Sequence, residues 1–308
     1  MQKVIIFIVL GLIIGLGITY QYFKKNAPDS TNSLKELAQN INRADEKIET
    51  KKPDIEVVYS GIKRPHGIGF HQGIIYVSSE IDKALYKVID GKAEKFVDLN
   101  FTHDMIFEED GSIITPVFNE NRVVKISKSG EVETLFSNLS GPNGIVKDKN
   151  GDFYVSNYFS GKILALKSDG RRFDISQGDH QGSAGLTYLK DKAGLDDLWV
   201  ASYIDGIFAK HDLQDDKVGS QLRVFLFSYP DIIHPESLYL NKDKRLFATA
   251  TKDGKGVIIE VFNQGVPYKI ILETDLPDPL VGYFTEEGFV YLVSPNDLKG
   301  RILRSKIF

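Results

Sequence analysis

Gly141-Pro-Asn-Gly-Ile-Val-Lys-Asp-Lys-Asn-Gly-Asp-Phe-Tyr-Val-Ser-Asn-Tyr-Phe-Ser-Gly-Lys-Ile163 contains a tight turn, an apolar strand, an Asn-Gly hairpin, a second strand and a loop. Units of this kind recur about every forty residues, the pattern of propeller blades. Aligned on the turn before the first strand, the units begin Arg64-Pro-His-Gly-Ile-Gly-Phe70, Thr102-His-Asp-Met-Ile-Phe107, Gly141-Pro-Asn-Gly-Ile-Val146, Ser183-Ala-Gly-Leu-Thr-Tyr188, His234-Pro-Glu-Ser-Leu-Tyr239 and Asp278-Pro-Leu-Val-Gly-Tyr283. The second strands, such as Ile74-Ile-Tyr-Val-Ser78 and Phe153-Tyr-Val-Ser156, are rich in β-branched and aromatic residues, which suit a sheet buried on both faces.

Hairpin dipeptides fall at Gln72-Gly73, Asp110-Gly111, Asn150-Gly151 and Glu287-Gly288, and between the outer strands at Asp90-Gly91, Ser129-Gly130 and Asp169-Gly170. Lys190 to Asp197 and Gln214 to Gln221 lengthen units four and five with charged insertions, which read as exposed loops. The sixth unit has three strands before Phe308, whereas Asp54-Ile-Glu-Val-Val-Tyr-Ser60 is a strand with no unit of its own. It is expected to complete the last blade and close the ring, the usual remedy for an open sheet edge. The fold expected is therefore all-β, a six-bladed β-propeller over 54–308, with 42% hydrophobic composition sufficient for a substantial core.

The net charge of −4, with Lys and Arg scattered among Asp and Glu, argues against nucleic acid as a partner. With no cysteine, disulfides, thiolate metal sites and a Cys nucleophile are excluded. Val4 to Tyr20 is charge-free and mostly apolar, and Ile18-Thr-Tyr-Gln-Tyr-Phe23 offers no small-x-small cleavage site. Residues 1–25 are thus expected to be an uncleaved signal-anchor helix tethering the protein to a membrane, with the propeller extracytoplasmic, periplasmic or at the cell surface. Residues 26–53 are polar, with Leu34, Leu37, Ile41 and Ile48 at helical intervals, and read as a helical linker.

In a propeller the first strand of each blade lines the axial channel, so residues where it begins form a ring at one mouth. That ring reads His66, His103, Asn143, Ala184, Glu236 and Leu280. Small residues suffice for packing there, so two imidazoles, an amide and a carboxylate on one axis are the main sign of chemistry. His66, His103, Asn143 and Glu236 are candidate ligands of a divalent metal ion, zinc being favoured by imidazole and calcium by oxygen. Glu80, after the second strand of blade one, is a candidate proton-transfer residue. Asn157, Tyr158, Ser202 and Tyr203 follow other second strands and are candidates for binding substrate at the mouth. His234 and His180 are placed within possible reach of it, and His71 and His211 at outer turns. No Gly-x-Ser-x-Gly elbow, phosphate-cradling glycine loop or His-Glu-x-x-His helix occurs.

Pro142-Asn-Gly-Ile-Val-Lys-Asp-Lys-Asn-Gly-Asp-Phe-Tyr-Val-Ser-Asn157 resembles the repeat of the six-bladed superfamily of SMP-30/gluconolactonase-like, strictosidine synthase-like and NHL-repeat proteins. The resemblance implies, in its lactonase-like members, an axial cation held by Glu, Asn and Asp that polarises a lactone carbonyl, pointing to Asn143 and Glu236. Pro65-His66-Gly67-Ile68 with Glu80 is similar instead to the His and Glu pair of virginiamycin B lyase-like propellers, in which a metal-assisted elimination opens a ring. Two functions follow as expectations: a metal-dependent hydrolase of a lactone or related ester, or a noncatalytic module binding a glycan, peptide or protein. A metal-dependent lyase is the third.

Overall fold

A computed structural model describes residues 53–308 apart from 177, 179, 191–195, 213–223, 242 and 263–267. The expected membrane segment over 1–25 and nearly all of the linker over 26–53 lie outside the described residues. Among those described, no helix is long and apolar enough to cross a membrane.

Six four-stranded antiparallel sheets follow one another along the chain. Blade one is Pro65–His71, Ile74–Ser79, Ala84–Ile89 and Lys92–Asp98; blade two is Ile106–Phe107, Ile113–Val117, Arg122–Ile126 and Val132–Phe136. Blade three is Pro142–Lys147, Phe153–Asn157, Lys162–Leu166 and Arg172–Asp174; blade four is Ser183–Lys190, Asp196–Ser202, Ile207–Asp212 and Val224–Ser228. Blade five is Leu238–Leu240, Leu246–Lys252, Lys255–Val261 and Lys269–Glu273. Blade six joins Val281–Phe284, Phe289–Val293 and Arg301–Lys306 to the N-terminal strand Ile55–Ser60, which takes the outermost place with Ile55 opposite Ser305 and Ser60 opposite Arg301. The closure expected from the orphan strand is the one observed.

The core lies between blades. One apolar cluster fills each seam: Tyr76, Leu85, Ile113 and Val124 join blades one and two, and Ile114, Val123, Ile145 and Val155 join two and three. The circuit continues through Tyr154 and Leu198, then Phe208 and Ile259, then Phe247 and Val290, and closes between blades six and one through Val293, Ile302, Ile68 and Val77. Because each sheet is covered on both faces, its strands carry apolar residues without strict alternation, as the sequence shows.

Hydrogen bonds and glycines bring successive blades together at the mouth. The inner strands of blades one, three and four change register between Pro65 and Ile68, Pro142 and Ile145, and Ser183 and Leu186. Each bulge contains a ring residue followed by glycine: His66-Gly67, Asn143-Gly144 and Ala184-Gly185. A β-bulge re-aims a side chain, and here it falls where the inner strand meets the mouth. The glycines are there for the close approach of the next blade: a Cβ on Gly144 would lie 2.2 Å from the Ala184 carbonyl oxygen, and one on Gly185 2.1 Å from that of Glu236. Ser156 Oγ accepts from Gly144 N at 2.7 Å and donates to the Ala184 carbonyl at 2.6 Å. Ser78 makes the same bridge from Gly67 N to the Thr102 carbonyl. The Val-Ser that ends these second strands thus positions the ring.

Candidate functional site

The ring residues open onto a pocket of about 220 Å³ lined by His66, Phe101, His103, Phe118, Asn143, Tyr158, Tyr203, Glu236 and Pro279. All four expected ligand residues, His66, His103, Asn143 and Glu236, are therefore brought together at one mouth. Ala184 is also buried but does not line the pocket, and blade six contributes Pro279 where the alignment placed Leu280. Leu280 belongs instead to the apolar seam between blades five and six.

His66 and His103 meet edge to face with ring centroids 4.0 Å apart, and Phe101 packs against both at 4.5 and 4.9 Å. Burial penalises the imidazolium form. It pushes His103 down to about 3, and holds His66 well below the ordinary histidine range with help from His103 and Arg64. Both rings are neutral at physiological pH, and among the described residues the buried Nδ1 of His66 finds no hydrogen-bond partner.

Glu236 is 5% exposed, and its Oε1 lies 3.5 Å from His103 Nδ1. Burial pushes its carboxyl up to about 8; the Asn143 side chain, which hydrogen-bonds to it, opposes this, Asp278 adds to it, and His234 opposes it. Behind Glu236, Asp278 accepts from Thr251 Oγ1 at 2.5 Å, contacts His234 Nδ1 at 2.7 Å and accepts from the Tyr203 hydroxyl at 3.4 Å. His234 stacks on Tyr203 with centroids 4.3 Å apart, so it faces this acidic bracket and does not join the pocket lining.

The other expected site residues divide. Tyr158 and Tyr203 line the pocket, with burial raising both hydroxyls above the usual tyrosine range. Asn157 and Ser202 do not: Asn157 Oδ1 accepts from Ser140 N at 3.0 Å, and the Ser202 hydroxyl donates to the Gln181 carbonyl at 2.6 Å, so both brace turns. Glu80 is also outside the lining and lies 3.3 Å from Arg64 Nη2. His180 and His211 face each other with Nε2 atoms 2.8 Å apart, away from the pocket lining; His211 is a buried strand residue, not part of an outer turn. His71 stacks on Phe107.

Asp104 was not anticipated. It occupies, in blade two, the place held by Gly67, Gly144 and Gly185 elsewhere, immediately after a ring residue. Its Oδ2 accepts from Ile145 N at 3.3 Å, and it lines a second axial chamber of about 130 Å³ with Ile68, Met105, Ile145, Leu186 and residues of blades five and six. Burial, opposed by that backbone donor and assisted by Glu236, pushes its carboxyl up to about 7. The signal was a carboxylate where blades one, three and four have glycine and blades five and six have Ser237 and Val281.

As a metal centre the mouth is incomplete. Among the described residues no three His, Cys, Asp or Glu side chains are grouped so as to hold a metal ion. Glu236 is occupied by Asn143 and His103. The arrangement is suited to moving a proton: an adaptable carboxyl between an amide and a neutral imidazole, with an unpaired imidazole nitrogen alongside.

No protein-family model matches the sequence, and a search of curated proteins finds no match. Solved structures do resemble the fold. A gluconolactonase from Xanthomonas campestris is 13% identical with a TM-score of 0.66, covering 83% of this chain and 90% of its own. Virginiamycin B lyase from Staphylococcus aureus is 12% identical with a TM-score of 0.56, covering 83% and 100%. An aldose sugar dehydrogenase from Streptomyces coelicolor is 16% identical with a TM-score of 0.60, covering 83% and 98%. At such identities the likeness concerns architecture alone: the chain has the six-bladed fold of gluconolactonase-like and related propellers.

Proposed function

We propose that the mouth opens a lactone or a related ester by water, with Glu236 as the proton-transfer residue. The observation that carries this reading is the Glu236 carboxyl, buried in an accessible aromatic pocket with its ionisation moved up to about 8. A buried carboxyl without a cationic partner is costly to a fold, and such groups cluster at functional sites.

Near neutrality both forms of Glu236 are available, roughly a tenth being ionised at pH 7. In the ionised form it takes a proton from water as the water oxygen bonds to the ester carbonyl carbon. The ring carbon–oxygen bond then breaks, and protonated Glu236 returns the proton to the departing ring oxygen, leaving a hydroxy acid. Asn143 orients the carboxyl through its hydrogen bond, and the neutral imidazole of His66 walls the pocket beside it. The tyrosine hydroxyls of Tyr158 and Tyr203 supply further donors. Anchorage of the propeller to a membrane through residues 1–25, outside the cytoplasm, remains part of the proposal and rests on the apolar run Val4 to Tyr20.

The test is hydrolysis of a panel of lactones by the full chain, with and without a chelator. Turnover that resists the chelator and falls about 10²- to 10⁴-fold in Glu236→Gln is the expected result. Chelator-sensitive turnover would contradict this reading and assign the ring to a divalent metal ion held by His66, His103, Asn143 and Glu236. Ligand capture without turnover, undiminished in Glu236→Gln, would assign a binding module for a glycan, peptide or protein.

A further inference from the structure

Around the pocket, the loops at the mouth carry exposed apolar side chains. Ile81, Phe159, Ile204 and Leu298 each follow the second strand of a blade, and Phe159 and Ile204 are 69% and 55% exposed. These last two occupy equivalent places in adjacent blades, directly after the pocket residues Tyr158 and Tyr203. Each covers the glycine turn leading into its blade: a Cβ on Gly141 would meet the Phe159 ring at 2.6 Å, and one on Gly182 would meet the Ile204 side chain at 2.7 Å. The Phe159 ring is 5.1 Å from Phe118 and 5.6 Å from Tyr158, centroid to centroid, so an aromatic surface runs without interruption from inside the pocket to solvent. On the same sector the ring residue is Ala184, the smallest in the circle.

A sugar lactone, whose substituents are hydroxyls, would leave the aliphatic Ile204 and much of this exposed apolar surface unmatched. Nor, among the described residues, does any Lys or Arg line the pocket to balance a carboxylate or phosphate. Burying apolar area is the general source of affinity for such a surface, and exposed apolar patches beside a pocket mark binding.

Resting on the ring-opening reading above, we propose that the substrate is an uncharged ring ester bearing an unbranched alkyl chain, the ring in the pocket and the chain laid across Phe118 and Phe159 toward Ile204. Binding then improves with each carbon added until the chain passes Phe159 and Ile204.

The experiment measures KM of the full chain for γ-lactones whose side chain lengthens from methyl to octyl. In parallel, calorimetry measures binding of the matching 2-alkylcyclopentanones, which have the ring and chain but no ester to open. The expected result is a fall in KM of about 2- to 4-fold per methylene over the first several carbons. That slope flattens in Phe159→Ser and in Ile204→Ser, is largely kept in Phe159→Leu, and is unaltered by Val132→Ser, a change at an exposed apolar position on an outer strand. Thermal melts verify that the variants are folded. Lactone turnover with no dependence on chain length overturns the alkyl-chain inference and leaves ring opening standing. Ketone binding that improves with chain length and flattens in Phe159→Ser, with no lactone opened, supports the ligand class and overturns the ring-opening reading. A slope unchanged in both serine variants, with loss of binding to phosphatidylglycerol vesicles, overturns the inference and makes the apolar loops a lipid-docking surface.

Discussion

Two opposed influences meet on Glu236: burial drives its carboxyl toward the protonated form, and the Asn143 hydrogen bond favours the ionised one. Asn143→Ala removes the influence that lowers the pKa, so the midpoint of Glu236 should move above about 8, measured by NMR titration of the labelled carboxyl. A downward shift would show that Asn143 donates to some other group. Reading the aligned repeats put His66, His103, Asn143 and Glu236 at one mouth, where all four line the pocket, because a propeller fixes where the first strand of every blade begins. It could not place Glu80, Asn157 and Ser202, whose fates depend on local partners: the Arg64 guanidinium, the Ser140 backbone N–H and the Gln181 carbonyl. Phe118, which walls the pocket with Phe101, holds in blade two the place of Tyr158 and Tyr203, directly after the second strand, and was passed over because the reading looked there for polar side chains.

At the scale of the strand, the ring depends on the bulged Asn143-Gly144 and its serine bridge. Ser156 is fully buried and satisfies both Gly144 N and the Ala184 carbonyl. Ser156→Ala would leave both without that partner and should cost about 1–3 kcal/mol in urea unfolding. Gly144→Ala forces a methyl against the Ala184 carbonyl and should cost about as much or more, with loss of ring geometry. An unchanged midpoint in either variant would contradict the account of how blades three and four are joined. The repeat made strand order and closure legible, since hairpin dipeptides and second strands recur at constant spacing. The glycine column was equally visible in the sequence, but its meaning was not, because the reason for it lies in the neighbouring blade. Asp104 stands out only once that reason is known.

For the whole molecule, the buried groups at the mouth predict how stability changes with pH. Glu236 and Asp104, raised to about 8 and about 7, bind protons more tightly folded than unfolded, so their contribution is lost as pH rises from the ordinary carboxylate range through those values. His103 and His211, lowered to about 3, act in the opposite sense, contributing stability above the ordinary histidine pKa that is lost as pH falls. Between about pH 7.5 and 8.5 the histidines are nearly all neutral in both states, so the carboxyls dominate. Stability should decline across that window and decline less in Glu236→Gln; equal slopes would mean that Glu236 ionises normally. The same carboxyl governs catalysis in the proposed reaction. The decisive measurement is therefore the pH dependence of kcat/KM for lactone opening by the full chain and by Glu236→Gln. The expected profile rises with pH to an inflection near 8 and then levels, and the variant loses both the inflection and about 10²- to 10⁴-fold in rate. No lactone turnover by the native protein, or an inflection that survives in Glu236→Gln, would contradict the assignment of Glu236 as the proton-transfer residue.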